Sequence, residues 1–178
     1  VAQVFQIKSA LYPGSHIDVM PSFVIPVVTY IDNFKGTIQF FKEMDAIYNF
    51  IEENKEYKED FILKFIGEDY SGDFEIEKVD LLISQYAGFV GQQTKSYLKA
   101  GGILLCNDSH GDATLAYCDD DYEFIGIVNS KNDIETQNLT SYFQFARKRP
   151  IDAQKVRETM KGPNYKEKAE NYLFRKKY

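Results

Sequence analysis

Seven short runs of apolar residues recur along the chain, most of them separated by longer and more polar stretches. The runs are rich in β-branched and aromatic residues and are bounded by turn-forming residues, a pattern that predicts β-strands. The predicted strands cover residues 4–11, 27–31, 61–66, 79–84, 103–106, 122–128 and 141–146. The run at residues 79–84 is almost continuously apolar, which is typical of a strand buried on both faces.

Two of the intervening stretches have the spacing of an amphipathic helix. Apolar side chains recur every three or four positions within residues 36–54, and Phe89, Gln93 and Tyr97 lie four apart within residues 88–98. Strands that alternate with helices favour an α/β fold with a mostly parallel sheet covered on both faces. The polar segment 129–140 is short for a crossover helix, so the last two strands are expected to pair as an antiparallel hairpin.

The C-terminal segment has a different character. Residues 150–178 are polar and have helical spacing, and Gly162-Pro163 divides them into two parts. We therefore expect a sheet domain over residues 1–149 and a basic helical extension over residues 150–178.

Composition narrows the class of protein. The chain has 178 residues, 44% of them hydrophobic, which suits a single domain with a core and excludes a wholly disordered chain. The sequence contains no apolar run of the roughly 20 residues needed to cross a bilayer, so no membrane association is expected. The first residue is Val1, and we expect at least an initiator methionine to precede it. Without a recognisable signal peptide, Cys106 and Cys118 are interpreted as reduced thiols in a cytoplasmic protein.

The net charge of −6 is unevenly distributed. Residues 147–178 contain 11 Lys/Arg and 4 Asp/Glu, a net charge of +7, whereas residues 1–146 contain 10 and 23, a net charge of −13. Aromatic residues are interleaved with the basic ones, a combination that suits nucleic-acid binding. The alternative interpretation is a solvated helical face or one that pairs with the acidic body. The oligomeric state is left open.

Polar residues follow most of the predicted parallel strands, and ligands of open α/β sheets bind at the carboxyl ends of strands. Tyr12, Pro13, Gly14 and Ser15 follow the first strand, and Asp32 follows the second. The later candidates are Asp69, Tyr70, Ser84, Gln85, Tyr86, Asp108 and His110.

Over residues 4–146 this arrangement resembles the class I S-adenosylmethionine-dependent methyltransferases. The resemblance rests on Asp32, on Asp69-Tyr70, on the Leu-Lys-Ala-Gly-Gly segment 98–102 and on a final antiparallel strand. It implies a Rossmann-like three-layer sandwich with a seven-stranded sheet and S-adenosylmethionine as cofactor. By position, Asp32 would accept hydrogen bonds from the ribose hydroxyls, Asp69 would face the adenine amino group, and Tyr70 would lie against the ring.

The sequence departs from that family in two places. The first loop keeps a single glycine, Gly14, where the family usually has a glycine-rich loop. Strand four ends in Ser84-Gln85-Tyr86 rather than the Asn/Asp-Pro-Pro-Tyr of the amino-methylating nucleic-acid enzymes. Structural alternatives also stay open: Asp32 could cap a helix, and Asp69-Tyr70 and Pro13-Gly14 could be ordinary turns.

Acid–base chemistry could come from Tyr86, Asp108 and His110, on the side of the substrate. A histidine titrates near neutrality and suits proton transfer, although a solvated loop histidine is the plainer interpretation of His110. His16 with Asp18 is a weaker candidate of the same kind. The run Asp119-Asp120-Asp121 lacks the ligand spacing of a calcium loop, so no metal site is expected.

Three hypotheses follow. The first is a small S-adenosylmethionine-dependent methyltransferase of unassigned substrate, in which alignment of the reacting groups supplies most of the catalysis. The second is a non-catalytic module of the same fold that binds a nucleotide, a nucleic acid or a protein. The third is a nucleic-acid-associated protein that uses the basic C-terminal segment.

Overall fold

One eight-stranded sheet forms the centre of the protein, with the strand order β3-β2-β1-β4-β5-β8-β6-β7. The computed structural model describes all residues, Val1–Tyr178. The strands are β1 Ser9–Pro13, β2 Val27–Ile31, β3 Ile62–Ile66, β4 Val79–Ser84, β5 Leu98–Cys106, β6 Tyr122–Val128, β7 Ile134–Glu135 and β8 Asn171–Lys176.

The helices are short apart from one. They are α1 Pro21–Val24, α2 Lys35–Phe40, α3 Met44–Asn54, α4 Val90–Gln93, α5 Asp112–Tyr117 and α6 Ala153–Thr159, with 3₁₀ turns at Lys95–Tyr97 and Leu139–Ser141. None of these helices combines the length and the apolar character needed to cross a membrane.

The first five strands pair in parallel, as expected from their alternation with helices. β8 pairs antiparallel with both β5 and β6, and the two-residue β7 pairs antiparallel with β6 at the edge. The α/β class and the mostly parallel sheet with an antiparallel strand are therefore confirmed, with eight strands in place of the predicted seven.

Alternation along each strand divides the core between the two faces of the sheet, because successive side chains of a strand point to opposite sides. Val28 and Tyr30 of β2 pack on one face with Ile47 and Ile51 of α3. On the other face, Leu82 of β4 and Leu104 of β5 belong to a second core cluster, which also contains Val90 of α4 and Ala113 of α5. The result is the predicted three-layer arrangement.

The antiparallel strand lies at different residues from those predicted. Residues 141–146 are not a strand: Phe143 has a φ of 58°, outside the extended region. Its side chain is 5% exposed and packs with its ring centroid 4.9 Å from that of Tyr172. The aromatic alternation that predicted a strand therefore reflects side chains that pack on the face of the sheet.

β8 takes that place in the sheet and corrects the prediction of a wholly helical C-terminal segment. Tyr172, Leu173 and Phe174 are buried at 0–1% exposure, on alternating faces. Only α6, within residues 150–178, is an α-helix. Because β8 lies between β5 and β6, this C-terminal strand belongs to the same sheet as strands β1 to β6.

Two smaller predictions are also corrected. The predicted helix 36–54 is divided into α2 and α3, and the predicted helix 88–98 into α4 and a 3₁₀ turn. The Ala-Gly-Gly segment 100–102 does not precede the fifth strand but lies within β5, where the pairing with β4 is irregular. Gly101 has a φ of +78°, which is typical of a glycine in a β-bulge.

Candidate functional site

The parallel strands bring their carboxyl ends to one edge of the sheet, and a cleft opens there between β1 and β4. The strand order 3-2-1-4-5 reverses direction between these two strands, which is where open α/β sheets bind ligands. We call this the switch-point cleft. It has a volume of about 470 Å³, and the predicted residues Tyr12, Gly14, Ser15, Asp32, Tyr70, Gln85 and Tyr86 line it.

Asp32 directly follows β2 and is 8% exposed. Its Oδ2 accepts a hydrogen bond from the backbone N–H of His16 at 2.8 Å, and its Oδ1 accepts one from the N–H of Phe34 at 2.7 Å. It does not cap α2, whose N-cap residue is Phe34. Asp32 thus holds the loop after β1, while each carboxylate oxygen retains a lone pair for a ligand donor.

Gly14 has a conformation and a neighbour that both favour glycine. Its φ is +66°, and a β-carbon built there would lie 2.2 Å from Cβ of Ala87. Its N–H donates to the carbonyl of Ile31 at 2.7 Å. The single glycine of the first loop therefore allows close contact between the loops that follow β1 and β4.

Of the two predicted residues in the loop after β3, Tyr70 lines the switch-point cleft and Asp69 does not. Tyr70 lines the switch-point cleft, and its hydroxyl donates to the carbonyl of Ala87. Asp69 is outside the cleft lining, and its Oδ2 accepts a hydrogen bond from Asn33 Nδ2 at 3.0 Å. Asn33 itself lines the cleft, so Asp69 contacts the site through another side chain.

A second, smaller cleft adjoins the first at Tyr86, which lines both. We call it the middle cleft. It has a volume of about 220 Å³ and is also lined by Asp108, Asn107 and Lys168. Tyr86 is 69% exposed and has a φ of 57°, so it projects at the boundary of the two clefts. The arrangement could hold two ligands side by side.

Asp108 is the most perturbed carboxylate of the middle cleft. Burial raises its pKa to about 6, although hydrogen bonds from the backbone N–H and hydroxyl of Thr114 and the charge of Lys168 act in the opposite direction. The two bonds from Thr114 are 2.7 and 2.8 Å long. A carboxylate with a pKa near neutrality in a cleft can exchange a proton with a bound ligand.

A chain of amide side chains connects the two clefts. Gln85 Nε2 donates to Oδ1 of Asn171 at 2.6 Å, and Asn107 Nδ2 donates to Oε1 of Gln85 at 3.0 Å. Gln85 lines the switch-point cleft and Asn107 the middle cleft. Asn171 begins β8, so the C-terminal strand helps to fix both walls.

No protein-family model and no curated protein sequence matches the chain. Among solved structures, TehB from Haemophilus influenzae aligns with 99% of this chain at a TM-score of 0.58 and 15% identity. StiE O-MT residues 961–1257 align with 97% at 0.56 and 10% identity, and a methyltransferase from Geobacter sulfurreducens with 71% at 0.50 and 13% identity.

The chain has a class I methyltransferase-like fold. It spans 60% of the length of TehB and 68% of each of the other two. In this methyltransferase-like fold, β8 supplies the antiparallel strand beside β5.

The methyltransferase-like fold gathers most of the predicted residues but not all. Pro13 and Ser84 are the last residues of β1 and β4, and neither lines the switch-point cleft or the middle cleft. His110 lines neither cleft either. The hydroxyl of Ser84 donates to Oδ2 of Asp112 at 2.6 Å, in the interior. His110 Nδ1 lies 3.1 Å from the hydroxyl of Ser109.

Sequence reasoning missed several residues of the two clefts. Asn33 directly follows Asp32, so its position after a strand could have identified it. Asn171, Pro163 and Lys168 come from a segment that was expected to lie outside the sheet. No local pattern connects these residues with Tyr86 or Asp108, because the contact depends on where β8 inserts. No group of three or more His, Cys, Asp or Glu side chains is arranged to hold a metal ion.

Proposed function

We propose that this protein is an S-adenosylmethionine-dependent methyltransferase that binds the cofactor in the switch-point cleft and the methyl acceptor in the middle cleft. The observation that carries the proposal is the pair of clefts that meet at Tyr86, at the strand ends of a methyltransferase-like sheet. The fold supports this function, and the clefts supply two adjacent binding volumes. The two free cysteines fit a reducing compartment, so we place the protein in the cytoplasm.

The residues of the switch-point cleft fit such a cofactor. The volume of about 470 Å³ lies in the range of small-molecule sites. Asp32 is nearly buried, faces the cleft and has lone pairs free for two vicinal hydroxyl groups. Tyr70 offers a ring whose hydroxyl is already occupied by the carbonyl of Ala87. We assign ribose binding to Asp32 and contact with the adenine ring to Tyr70.

The middle cleft would supply the acid–base chemistry. When bound, the cofactor would supply an electrophilic methyl group for transfer to a lone pair of the acceptor, with a neutral thioether as the leaving group. Asp108 can take up the proton that the acceptor loses, because its raised pKa lies near neutrality. Tyr86 would orient the acceptor at the boundary, and most of the rate would come from alignment.

Isothermal titration calorimetry with S-adenosylhomocysteine tests the cofactor assignment. We expect binding to the wild type and a loss of about tenfold or more in the Asp32→Asn variant, since a hydrogen bond to a charged group contributes about 1.5–3 kcal/mol. Asp60→Asn, at an exposed carboxylate outside the cleft, is the matched control and should bind as the wild type does. Absence of heat at millimolar ligand would overturn the proposal.

A second titration isolates the ribose contact. Adenosine should bind the Asp32→Asn variant more weakly than the wild type, whereas 2′,3′-dideoxyadenosine should not distinguish the two proteins. If both nucleosides lose affinity equally, Asp32 acts only by holding the loop after β1 through His16. Thermal unfolding of the variant shows whether that loop has been disturbed.

A further inference from the structure

The basic C-terminal segment is not neutralised by the acidic body. All four salt bridges of the protein lie within residues 1–146: Lys55–Glu52, Lys95–Asp119, Lys95–Asp121 and Lys99–Asp80. None of the 11 Lys/Arg of residues 147–178 has a carboxylate oxygen within 4.0 Å. Lys176 is buried and donates to the backbone carbonyls of Lys95 and Leu98, but the exposed cations of this segment are not paired with a carboxylate and can bind an anionic ligand.

Three of these cations line one cleft. Arg149, Lys155 and Lys161 surround a volume of about 540 Å³, which we call the basic cleft. Asp152 is its only carboxylate, and Oδ1 of Asp152 accepts a hydrogen bond from the N–H of Lys155 at 2.9 Å. Three cations and one carboxylate give the lining a net charge of +2, which favours an anion.

The basic cleft also offers apolar contact. Phe145 and Val156 lie in its lining, and the guanidinium carbon of Arg149 lies 4.0 Å from the centroid of the Phe145 ring. Stacking on the ring holds the guanidinium at the cleft, while its N–H groups have no hydrogen-bond partner in the protein. The lining therefore suits a molecule with both an anionic group and an apolar part.

The basic cleft adjoins the middle cleft. Pro163 lines both, so the two volumes are neighbours. The wall between them lies tightly against Asp108, because a β-carbon built on Gly162 would lie 2.0 Å from the carbonyl oxygen of Asp108. Gly162, which lines the basic cleft, is thus in direct contact with Asp108, which lines the middle cleft.

We infer that the methyl acceptor is a small organic anion, with its carboxylate or phosphate in the basic cleft and its reacting atom in the middle cleft. This assignment rests on the proposed function. A small molecule is favoured over a nucleic acid because a cleft of about 540 Å³ is the size of a small-ligand site. A polyanion would instead follow a continuous groove.

The test compares two variants that lose equal charge. One replaces the three cleft cations, Arg149→Gln/Lys155→Gln/Lys161→Gln. The control replaces three exposed cations of the same segment that line neither the basic cleft nor the middle cleft, Arg147→Gln/Lys148→Gln/Lys166→Gln. Phenyl phosphate and benzoate are the anionic probes, benzyl alcohol is the neutral one, and calorimetry or NMR shift perturbation measures their binding.

We expect one or both anionic probes to bind the wild type and the control more tightly than benzyl alcohol does. The cleft variant should weaken this binding about fivefold or more, since each charge near an anion contributes a factor of about 1.4 to 5. The probe that binds more tightly shows whether the basic cleft prefers a phosphate or a carboxylate. Equal binding by the two variants, or no binding of either anion, would overturn the inference.

Two further measurements separate this inference from competing explanations. If S-adenosylhomocysteine fails to bind all three proteins while the anion still distinguishes them, the proposed function fails and only an anion site remains. If a single-stranded RNA binds and both variants weaken it equally, with no difference for the small anions, the segment serves nucleic acid and the inference is overturned.

Discussion

Ala87 occupies the space that a side chain at Gly14 would need, since a β-carbon on Gly14 would lie 2.2 Å from Cβ of Ala87. Gly14 follows β1 and Ala87 follows β4, so the loops of the two strands at the switch point touch. Both residues line the switch-point cleft. This contact therefore helps to determine the shape of the proposed cofactor site.

The Gly14→Ala variant should lose stability and cofactor affinity together. The φ of +66° is unfavourable for alanine by about 1–2 kcal/mol, and the collision with Ala87 adds about 1–3 kcal/mol. We expect urea denaturation to show the sum of the two costs. Calorimetry should show weaker binding of S-adenosylhomocysteine, because the loop must move away from Ala87.

Gly101 provides a matched control for this prediction. Its φ is +78°, yet nothing lies within 4 Å of a β-carbon built there. Gly101→Ala should therefore show only the cost of the left-handed conformation and leave cofactor binding unchanged. Adding Ala87→Gly to Gly14→Ala should recover the steric part. If Gly14→Ala and Gly101→Ala lose equal stability, the contact with Ala87 has no energetic role.

Much of the sheet could be predicted from sequence because each central strand carries a local pattern. Residues 27–31, 79–84 and 122–128 match β2, β4 and β6, since each is an apolar run of strand length closed by polar residues. β8 could not be assigned in this way. Its buried run is only Tyr172, Leu173 and Phe174, and basic residues follow it directly.

The candidate site shows the same limit. Strand ends identified Gly14, Asp32 and Tyr70, because position after a parallel strand is itself a functional indication. The basic cleft could not be located, although its charge was visible in the composition. Which cations share a cleft depends on the path of residues 147–170 across the sheet, and this path depends on the insertion of β8.

Phe174 should be one of the residues on which this insertion depends. It is fully buried in β8 and packs 5.3 Å from Phe124, centroid to centroid. Phe174→Ala should lower the free energy of unfolding by about 3–5 kcal/mol through lost burial and a cavity. Arg175→Ala, the exposed neighbour in the same strand, should cost far less. Similar losses for both variants in urea denaturation would contradict the placement of β8.

Asp112 should make stability depend on pH. Burial raises its pKa to about 6, against an unfolded value near 3.8. Its Oδ2 accepts hydrogen bonds from Ser84 and the N–H of Gly91, while Oδ1 is buried without a partner. The folded state therefore binds a proton that the unfolded state releases between about pH 4 and 6. This contribution to stability is present below that range and is lost as pH rises through 6.

The Asp112→Asn variant removes this titration. Relative to the wild type, it should gain about 1–1.5 kcal/mol of stability between pH 5 and pH 7, as the pKa difference requires. Asp120→Asn, at an exposed carboxylate with no salt bridge, is the control, and its free energy of unfolding should change with pH as that of the wild type does. Denaturant titrations at the two pH values measure the difference. A constant offset between Asp112→Asn and wild type would show that Asp112 is ionised throughout.

Asp108 should titrate near pH 6 in the free protein, and the charge of Lys168 should influence the value of this pKa. Burial raises the pKa of Asp108, and the charge of Lys168 lowers it. Carbon-13 NMR of the carboxylate should therefore give a higher pKa in the Lys168→Gln variant. Lys166→Gln, an exposed lysine of the same segment outside the middle cleft, is the control and should leave the pKa unchanged.

The same titration should appear in catalysis, because only the ionised carboxylate can accept a proton from the acceptor. Methyl transfer, followed as release of S-adenosylhomocysteine, should fall as pH drops below about 6, and Lys168→Gln should move that fall to higher pH. Asp108→Asn should remove the inflection and lower kcat by about 10²–10⁴, the usual contribution of a general base. A pH profile that keeps its position in Lys168→Gln while the NMR pKa moves would exclude Asp108 as the base.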